Sequence, residues 1–344
     1  MVDPTITFVL AGSDGSRMQP LTVRQPKVLA PFGGIFRILD FTLSNAINSQ
    51  LRHVYVVGER QWESIQSYIR DGWSQLSKEF RWDRDEDVMS LPPARNPSDY
   101  ADIVGRSRAE FVLVISGEQI YQLDYRRVLR QLAESRADFI TSEAPRFTIF
   151  RREAFLKQLR HDSDLWVRPP QSARSESFNF TGYCRTVETL DDYHAANMDF
   201  LTDRPGFDPY TGTSWPVRTL SGPRYLQESR HALNSRVSLG TRLGLGSKVS
   251  SSVVSAGTRI EAGSEIEHSV ILSGCHIGVR SRIRNAVIAE NATIPPGSWI
   301  GFDLEADRLR YAVTPEGVVV VANSEAAPMP LIHRRCARVG TRGR

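Results

Sequence analysis

The chain has 344 residues, of which 40% are hydrophobic and 24% charged, and 43 basic side chains against 39 acidic ones give a net charge of +4. This length corresponds to roughly two domains of ~150 residues with sizeable cores, which excludes a small disulfide scaffold, and the composition excludes a disordered chain. The longest apolar runs, Phe111–Ile115 and Val318–Ala322, fall far short of the ~20 residues a membrane helix needs, so no membrane partner is expected.

At the amino terminus, Met1-Val-Asp-Pro-Thr has an acid where a secretory signal needs positive charge, and the apolar stretch Ile6–Ala11 runs into glycine and charge. A cytoplasmic location is the expectation. β-Rich runs at Ile6-Thr-Phe-Val-Leu, Val54-Tyr-Val-Val and Phe111-Val-Leu-Val-Ile alternate with helical stretches at Trp62–Ile69 and Tyr125–Ser135. Strand, loop and helix at this spacing predict an α/β domain over residues 1–201, built on a mostly parallel sheet covered by helices. A connector punctuated by proline and glycine at Thr202–Pro223 places a linker at 202–235.

The next segment has a different arithmetic. Aliphatic residues fall at Leu243, Val249, Val254, Ile260, Ile266, Ile271, Ile277, Ile283, Ile288, Ile294 and Ile300, in steps of 5 and 6 of which any full cycle of three adds to 17 residues. Small and polar residues fill the gaps, and glycines recur at Gly257, Gly263, Gly274, Gly278 and Gly297. This repeat predicts a parallel β-helix over 236–323, with three short strands per coil and one inward aliphatic per strand. Asp307–Asn323, with its strand-like Val318-Val-Val-Val, is expected to cap the open end, and the solenoid is expected to serve assembly. His268 and His276 read as outward coil residues because no third ligand shares their phase.

The last segment, 324–344, is a basic tail whose Arg334, Arg335, Arg338, Arg342 and Arg344 read as a solvated terminus, with no nucleic-acid partner expected. Cys184, Cys275 and Cys336 are odd in number and far apart, which predicts reduced thiols and neither a disulfide framework nor a zinc knuckle.

The chemistry is concentrated at the end of the first strand, in Leu10-Ala-Gly-Ser-Asp-Gly-Ser-Arg-Met. Gly12 and Gly15 let backbone approach a ligand, successive N–H groups of such a turn form an anion cradle, and Arg17 adds a fixed positive charge. Lys27 follows ten residues later, ahead of Gly33-Gly-Ile-Phe-Arg-Ile-Leu-Asp-Phe-Thr-Leu-Ser-Asn. A triphosphate suits this loop.

These residues resemble the sugar-phosphate nucleotidyltransferases, and specifically the glucose-1-phosphate adenylyltransferases, whose loop reads Leu-Ala-Gly-Gly-x-Gly-Thr-Arg-Leu. The likeness continues through Asn48-Ser, Gln61, Ile69-Arg-Asp-Gly-Trp73, Ala101-Asp-Ile-Val, Gly117-Glu-Gln-Ile-Tyr-Gln-Leu-Asp-Tyr125, Thr189-Leu-Asp-Asp-Tyr-His-Ala-Ala-Asn197, Trp215-Pro-Val-Arg-Thr219 and Ile294-Pro-Pro-Gly-Ser-Trp-Ile-Gly301. The resemblance implies a Rossmann-like nucleotidyltransferase domain of the GT-A type followed by a left-handed parallel β-helix. It also implies the reaction of ATP with glucose 1-phosphate to give ADP-glucose and pyrophosphate, as in glycogen synthesis, with Mg²⁺ as cofactor and tetramers as the assembly. Carried over, Arg17 holds the leaving pyrophosphate and Lys27 acts near the transferred phosphoryl. Gly12, Ser13, Asp14, Gly15, Ser16, Gln61, Asp102 and Gly117 border the nucleotide.

Four departures lead to the expectation of a degenerate site. Ser13 stands where the family has a second loop glycine, with Ser16 and Met18 replacing Thr and Leu. The metal-holding aspartate of Gly-Asp-His-Ile-Tyr is Glu118, and its partner aspartate is Thr186, with Glu188 two residues on in place of a glycine. Asn96-Pro-Ser-Asp-Tyr-Ala-Asp102 keeps only the last two residues of a sugar-side motif. Between Ala137-Asp-Phe-Ile-Thr and Phe147-Thr-Ile-Phe-Arg, a family segment of about fifty residues that grips glucose 1-phosphate is reduced to a few. Glu118 is therefore a weakened candidate metal ligand. Three readings stay open: a weakly active enzyme, a modulatory subunit of the kind that coexists with catalytic subunits in this family, and a nucleotidyltransferase with a different sugar whose pocket is built from 168–183. Effectors of the family bind between the domains, which makes Arg218 and Arg224 candidate contacts.

Overall fold

Runs in which every second residue is apolar on each side need cover on both faces, and the first half of the chain supplies it with helices. The computed structural model describes residues 4–58, 60–73, 87–92, 98–159, 174–202, 207, 209, 215–218 and 232–323. The first-half strands are β1 (Thr5–Ala11), the short β2 (Pro31–Phe32) and β3 (Phe36–Arg37), β4 (His53–Gly58), β5 (Asp87–Leu91), β6 (Phe111–Ser116), β7 (Gln119–Tyr121), β8 (Phe139–Glu143), β9 (Arg146–Arg151), β10 (Ser175–Ser177) and β11 (Cys184–Thr186). Seven of them form one sheet in the order β10-β8-β9-β6-β1-β4-β5. β1 lies parallel to β4 and β6, β5 parallel to β4, and β9 runs antiparallel between β6 and β8.

Period-two alternation sorts the sheet residues. Val9, Val54, Val56, Leu113 and Ile115 face a core shared with α1 (Ile38–Asn48), which supplies Leu39 and Leu43. Ile6, Phe8, Val112 and Val114 face the other way, onto Tyr100 and Val104 of α3 (Ser98–Arg106) and Phe155 of α5 (Arg152–Leu159). Between α1 and α3 in sequence lies α2 (Trp62–Tyr68), which runs on into a wider turn, Ile69–Trp73. The fully buried Asp40, in the first turn of α1, joins these pieces: it accepts from the Tyr68 hydroxyl (2.6 Å), Trp73 Nε1 (3.2 Å) and the Arg37 N–H (2.8 Å). Burial pushes its carboxyl up to about 7 against the pull of those three donors.

The β8–β9 hairpin pairs Glu143 with Arg146, so Ala144 and Pro145 alone make the turn where the family resemblance places a long segment. Among the described residues, the other first-half helices are α4 (Tyr125–Glu134) and α6 (Leu190–Asp199), whose amino ends are capped by Asp124 and Thr189.

The second half is a solenoid of three sheets, with five, six and four strands. Val249, Ile266, Ile283 and Ile300 stack in one sheet; Val237, Val254, Ile271, Ile288 and Val321 in the second; Leu243, Ile260, Ile277 and Ile294 in the third, all in parallel register. Each inward position from Val249 to Ile300 is at most 1% exposed. The three corners turn through left-handed residues: Asn234, Ser251, His268 and Asn285 at one, Gly240, Gly257, Gly274 and Asn291 at the next, Gly246, Gly263, Arg280 and Gly297 at the third. Glycine meets this demand without a Cβ penalty, and asparagine meets it better than most residues. Of the segment expected to cap the open end, Asp307–Asn323, the strand Val319–Val321 extends the second sheet beside Ala286–Ile288, and α7 (Leu304–Arg308) starts just ahead of that segment.

The two halves share a core in which Met18, Leu21, Phe32, Phe41 and Tyr193 meet Val253, Val270, Leu272, Val287 and Val320. His194 on α6 contacts His268, with its Nε2 2.9 Å from the His268 carbonyl and the rings 5.0 Å apart. His276 is exposed and bonded to Glu261. Burial raises the Cys184 and Cys275 thiols to about 12, as suits unreactive reduced cysteines. The β-helix begins inside the expected linker 202–235, since Ala232 and Leu233 already pair in parallel with Val249 and Ser250; the rest of the linker, apart from its few described residues, and the basic tail lie outside the described residues.

Candidate active site

β1 delivers the chain at Ala11 to a turn that positive φ at Gly15 (64°) makes possible, and a short helical turn, Ser16–Met18, follows. A Cβ on Gly15 would lie 3.1 Å from that of Thr22, whose hydroxyl donates to the Gly15 carbonyl (2.6 Å). Gly12 and Ser13 are half-buried at the strand exit, while Asp14, Ser16 and Arg17 are exposed. Lys27, by contrast, is buried, 5% exposed, in a second short turn, Lys27–Leu29.

The charged side chains at this loop, and two of its N–H groups, already have partners in their own chain. Lys27 Nζ lies 2.7 Å from Glu118 Oε2, and the Ser13 N–H donates to Glu118 Oε1 (3.2 Å). Arg17 pairs with Glu188 at 2.5 Å. Asp14 accepts from the Ser16 N–H (3.0 Å) and hydroxyl (2.9 Å), and these donors hold its carboxyl below the usual range. The buried Ser13 Oγ has no hydrogen-bond partner among the described residues.

Both glutamates come from one structural piece. β7 and β11 form a two-stranded antiparallel ribbon, with Gln119 opposite Thr186, and the Val187 N–H donates to the Glu118 carbonyl (3.2 Å). Glu118 thus precedes β7 and Glu188 follows β11, side by side opposite the two cations. The topology therefore brings Glu118 next to Thr186, as the resemblance requires of the metal pair. The donor set, however, does not fit Mg²⁺: both Glu118 oxygens are engaged, the Thr186 hydroxyl accepts from Gln119 Nε2 (2.8 Å), and Glu188 is on Arg17. Among the described residues no cluster of three or more His, Cys, Asp or Glu is arranged to hold a metal.

The other expected residues divide. Gln61, itself left-handed (φ 50°), caps α2 and donates to the Val23 carbonyl (3.1 Å), which places it at the side of the loop. Gly117 is required by packing, since a Cβ there would lie 2.9 Å from the Leu10 carbonyl oxygen. Asp102 is not brought to the loop by any hydrogen bond or ion pair among the described residues; it is 3.7 Å from Arg106 one turn along α3. Arg218 donates its N–H to Ser44 against α1, and Arg224 lies outside the described residues. A cleft of about 400 Å³ between the loop segment and the β-helix is lined by Val23, Arg24, Gln25, Leu272, Glu290 and Asn323, so among the described residues Arg24 lines it, and Arg37 lies 4.0 Å from its Glu290. The Arg17–Glu188 pair has no signal in the sequence, where Glu188 stands only as a replacement for a glycine; the partners are 171 residues apart.

A strand-loop-helix sheet with a glycine loop at the carboxyl end of its first strand, joined to a left-handed parallel β-helix, defines the nucleotidyltransferase class with hexapeptide repeats. In agreement, residues 6–146 match the nucleotidyl transferase family and residues 223–321 the GlmU-like, C-terminal hexapeptide family. The chain is 30% identical over 399 aligned positions to the glucose-1-phosphate adenylyltransferase of Koribacter versatilis (strain Ellin345), covering 92% of this chain and 95% of that protein. It is 29% identical to that of Geobacter metallireducens (93% and 98% covered) and 30% identical to that of Methylococcus capsulatus (92% and 93%). The chain belongs to the glucose-1-phosphate adenylyltransferase family. The first of these alignments is longer than the chain's 344 residues, so it carries gaps on this chain's side.

Proposed function

We propose that this chain keeps the nucleotide loop of glucose-1-phosphate adenylyltransferase, has lost efficient transfer, and serves as the modulatory member of a mixed assembly with a complete family member. The observation that carries this reading is the Lys27–Glu118 pair: the residue expected to hold the metal instead neutralises the lysine expected at the transferred phosphoryl. In the family reaction the sugar phosphate attacks the α-phosphorus of ATP and pyrophosphate leaves. Arg17 and Lys27 would steady that charge, and the Gly12–Ser16 backbone would border the nucleotide. A cation already paired contributes less to a developing charge. Misalignment of the sugar phosphate, whose gripping segment is replaced by the Ala144-Pro145 turn, lowers the rate further.

The β-helix supplies the assembly surface in this proposal, and a cytoplasmic location accompanies it. The test is to mix the purified chain with a complete family member. Co-elution as one mixed species with an altered effector response is expected; separate peaks and an unchanged response overturn the modulatory reading.

A further inference from the structure

The loop and the ribbon carry opposite charges that meet face to face. Arg17 and Lys27 come from the loop segment, Glu118 and Glu188 from the ribbon, and Asp14 adds a third carboxylate inside the loop. With two cations against three carboxylates, these groups sum to a formal charge of −1. Two donors of the turn, the Ser13 and Ser16 N–H groups, also end on carboxylates. An anion cradle whose cations and N–H groups already bind carboxylate oxygens is a filled cradle.

Resting on the reading of this loop as a triphosphate site, we propose that Glu118 and Glu188 are built-in anions occupying the positions of ligand phosphates, and that they set the affinity of the site. A polyphosphate enters by displacing them. The two contributions are unequal because the environments are. Lys27 and Glu118 are 5% and 16% exposed, so their attraction is little screened, and breaking it leaves a charge with few waters to turn to. Arg17 and Glu188 are 64% and 42% exposed, and their pair is screened and readily exchanged. Glu118 is also held in place from behind. The Val187 N–H binds its carbonyl, and its other oxygen is fixed by Ser13, so its carboxylate has a single seat. Glu188 stands at the amino end of α6, where Asp192 accepts its N–H and that of Thr189.

The experiment is calorimetric titration of the full chain with tripolyphosphate and, separately, ATP, in EDTA so that no metal contributes. Wild type, Glu118→Gln, Glu188→Gln and Glu118→Gln/Lys27→Gln are compared. Glu118→Gln is expected to bind tripolyphosphate about tenfold tighter or better and Glu188→Gln about two- to threefold tighter, with the Glu118→Gln gain abolished when Lys27 is also changed. Equal or weaker binding by both single variants overturns the proposal, as does absence of binding by any variant. Glu188→Gln alters an exposed pair and keeps the test decisive where Glu118→Gln fails to fold. Gain for tripolyphosphate without any binding of ATP leaves this proposal standing and refutes the nucleotide reading beneath it.

Discussion

The β-helix and the loop face of the sheet are both dense with specific contacts, yet they are specified in opposite ways. In the coils of the β-helix up to Ile300, inward residues meet like residues 17 positions on, Ile260 on Ile277 on Ile294. At the loop face, unlike residues far apart in the chain meet once, Arg17 with Glu188 and Lys27 with Glu118. The repeat makes the first region tolerant of variation on its outer face and intolerant on its inner one. The second region can keep its backbone while its charges are reassigned, and so a fold can outlive its chemistry.

The largest expected effect breaks the regular side of that contrast. Ile277 is fully buried in the stack; Ile277→Ala should cost about 2–5 kcal/mol, and Ile277→Asp more, because an unpaired carboxylate is buried as well. Urea denaturation of both variants checks the order. A cost for Ile277→Asp no greater than that for Ile277→Ala would mean that the coil gives way locally. Next comes Glu118→Gln, which leaves Lys27 buried and unpaired at roughly 3–5 kcal/mol. Added tripolyphosphate should raise the melting temperature of this variant more than that of wild type.

Acidity separates the two regions on a smaller scale. Asp40, raised from 3.8 to about 7 by burial, holds a proton in the folded state that the unfolded chain has shed, so its contribution falls as pH rises from about 4 to about 7. His194, lowered from 6.5 to about 4 by burial against the β-helix, does the reverse: its contribution is complete above 6.5 and is lost as pH falls towards about 4. The two partly cancel in the wild type. Asp40→Asn should expose a stability that rises with pH below neutrality, and His194→Gln one that falls, each by at most about 1.4 kcal/mol per pH unit. Parallel pH profiles for the three proteins would refute both assignments. The smallest effect is that of Glu188→Gln, within about 1 kcal/mol of wild-type stability by denaturant midpoint, since its pair is exposed.

How far the sequence reveals this molecule follows the same division. The inward aliphatics were legible because their period is local, and so was the cap, whose valines continue a sheet. The corners were only partly legible: glycines mark two of them, whereas Ser251 and His268 adopt left-handed backbone with no compositional signal. The loop, Lys27 and the neighbouring positions 118 and 186 were recognisable from motif resemblance. The pairing of those charges was not, because an ion pair between residues on different elements leaves no period and no spacing. Asp102 shows the converse, a motif residue that the fold leaves on an exposed helix face beside Arg106.

The most direct test of the account is pyrophosphate release by the purified chain with ATP, glucose 1-phosphate and Mg²⁺, beside a complete family member and the Lys27→Ala variant. Release about a hundredfold or more below that of the complete enzyme is expected. Release at the rate of the complete enzyme, abolished by Lys27→Ala, would contradict it, since Lys27 would then be serving substrate while paired with Glu118.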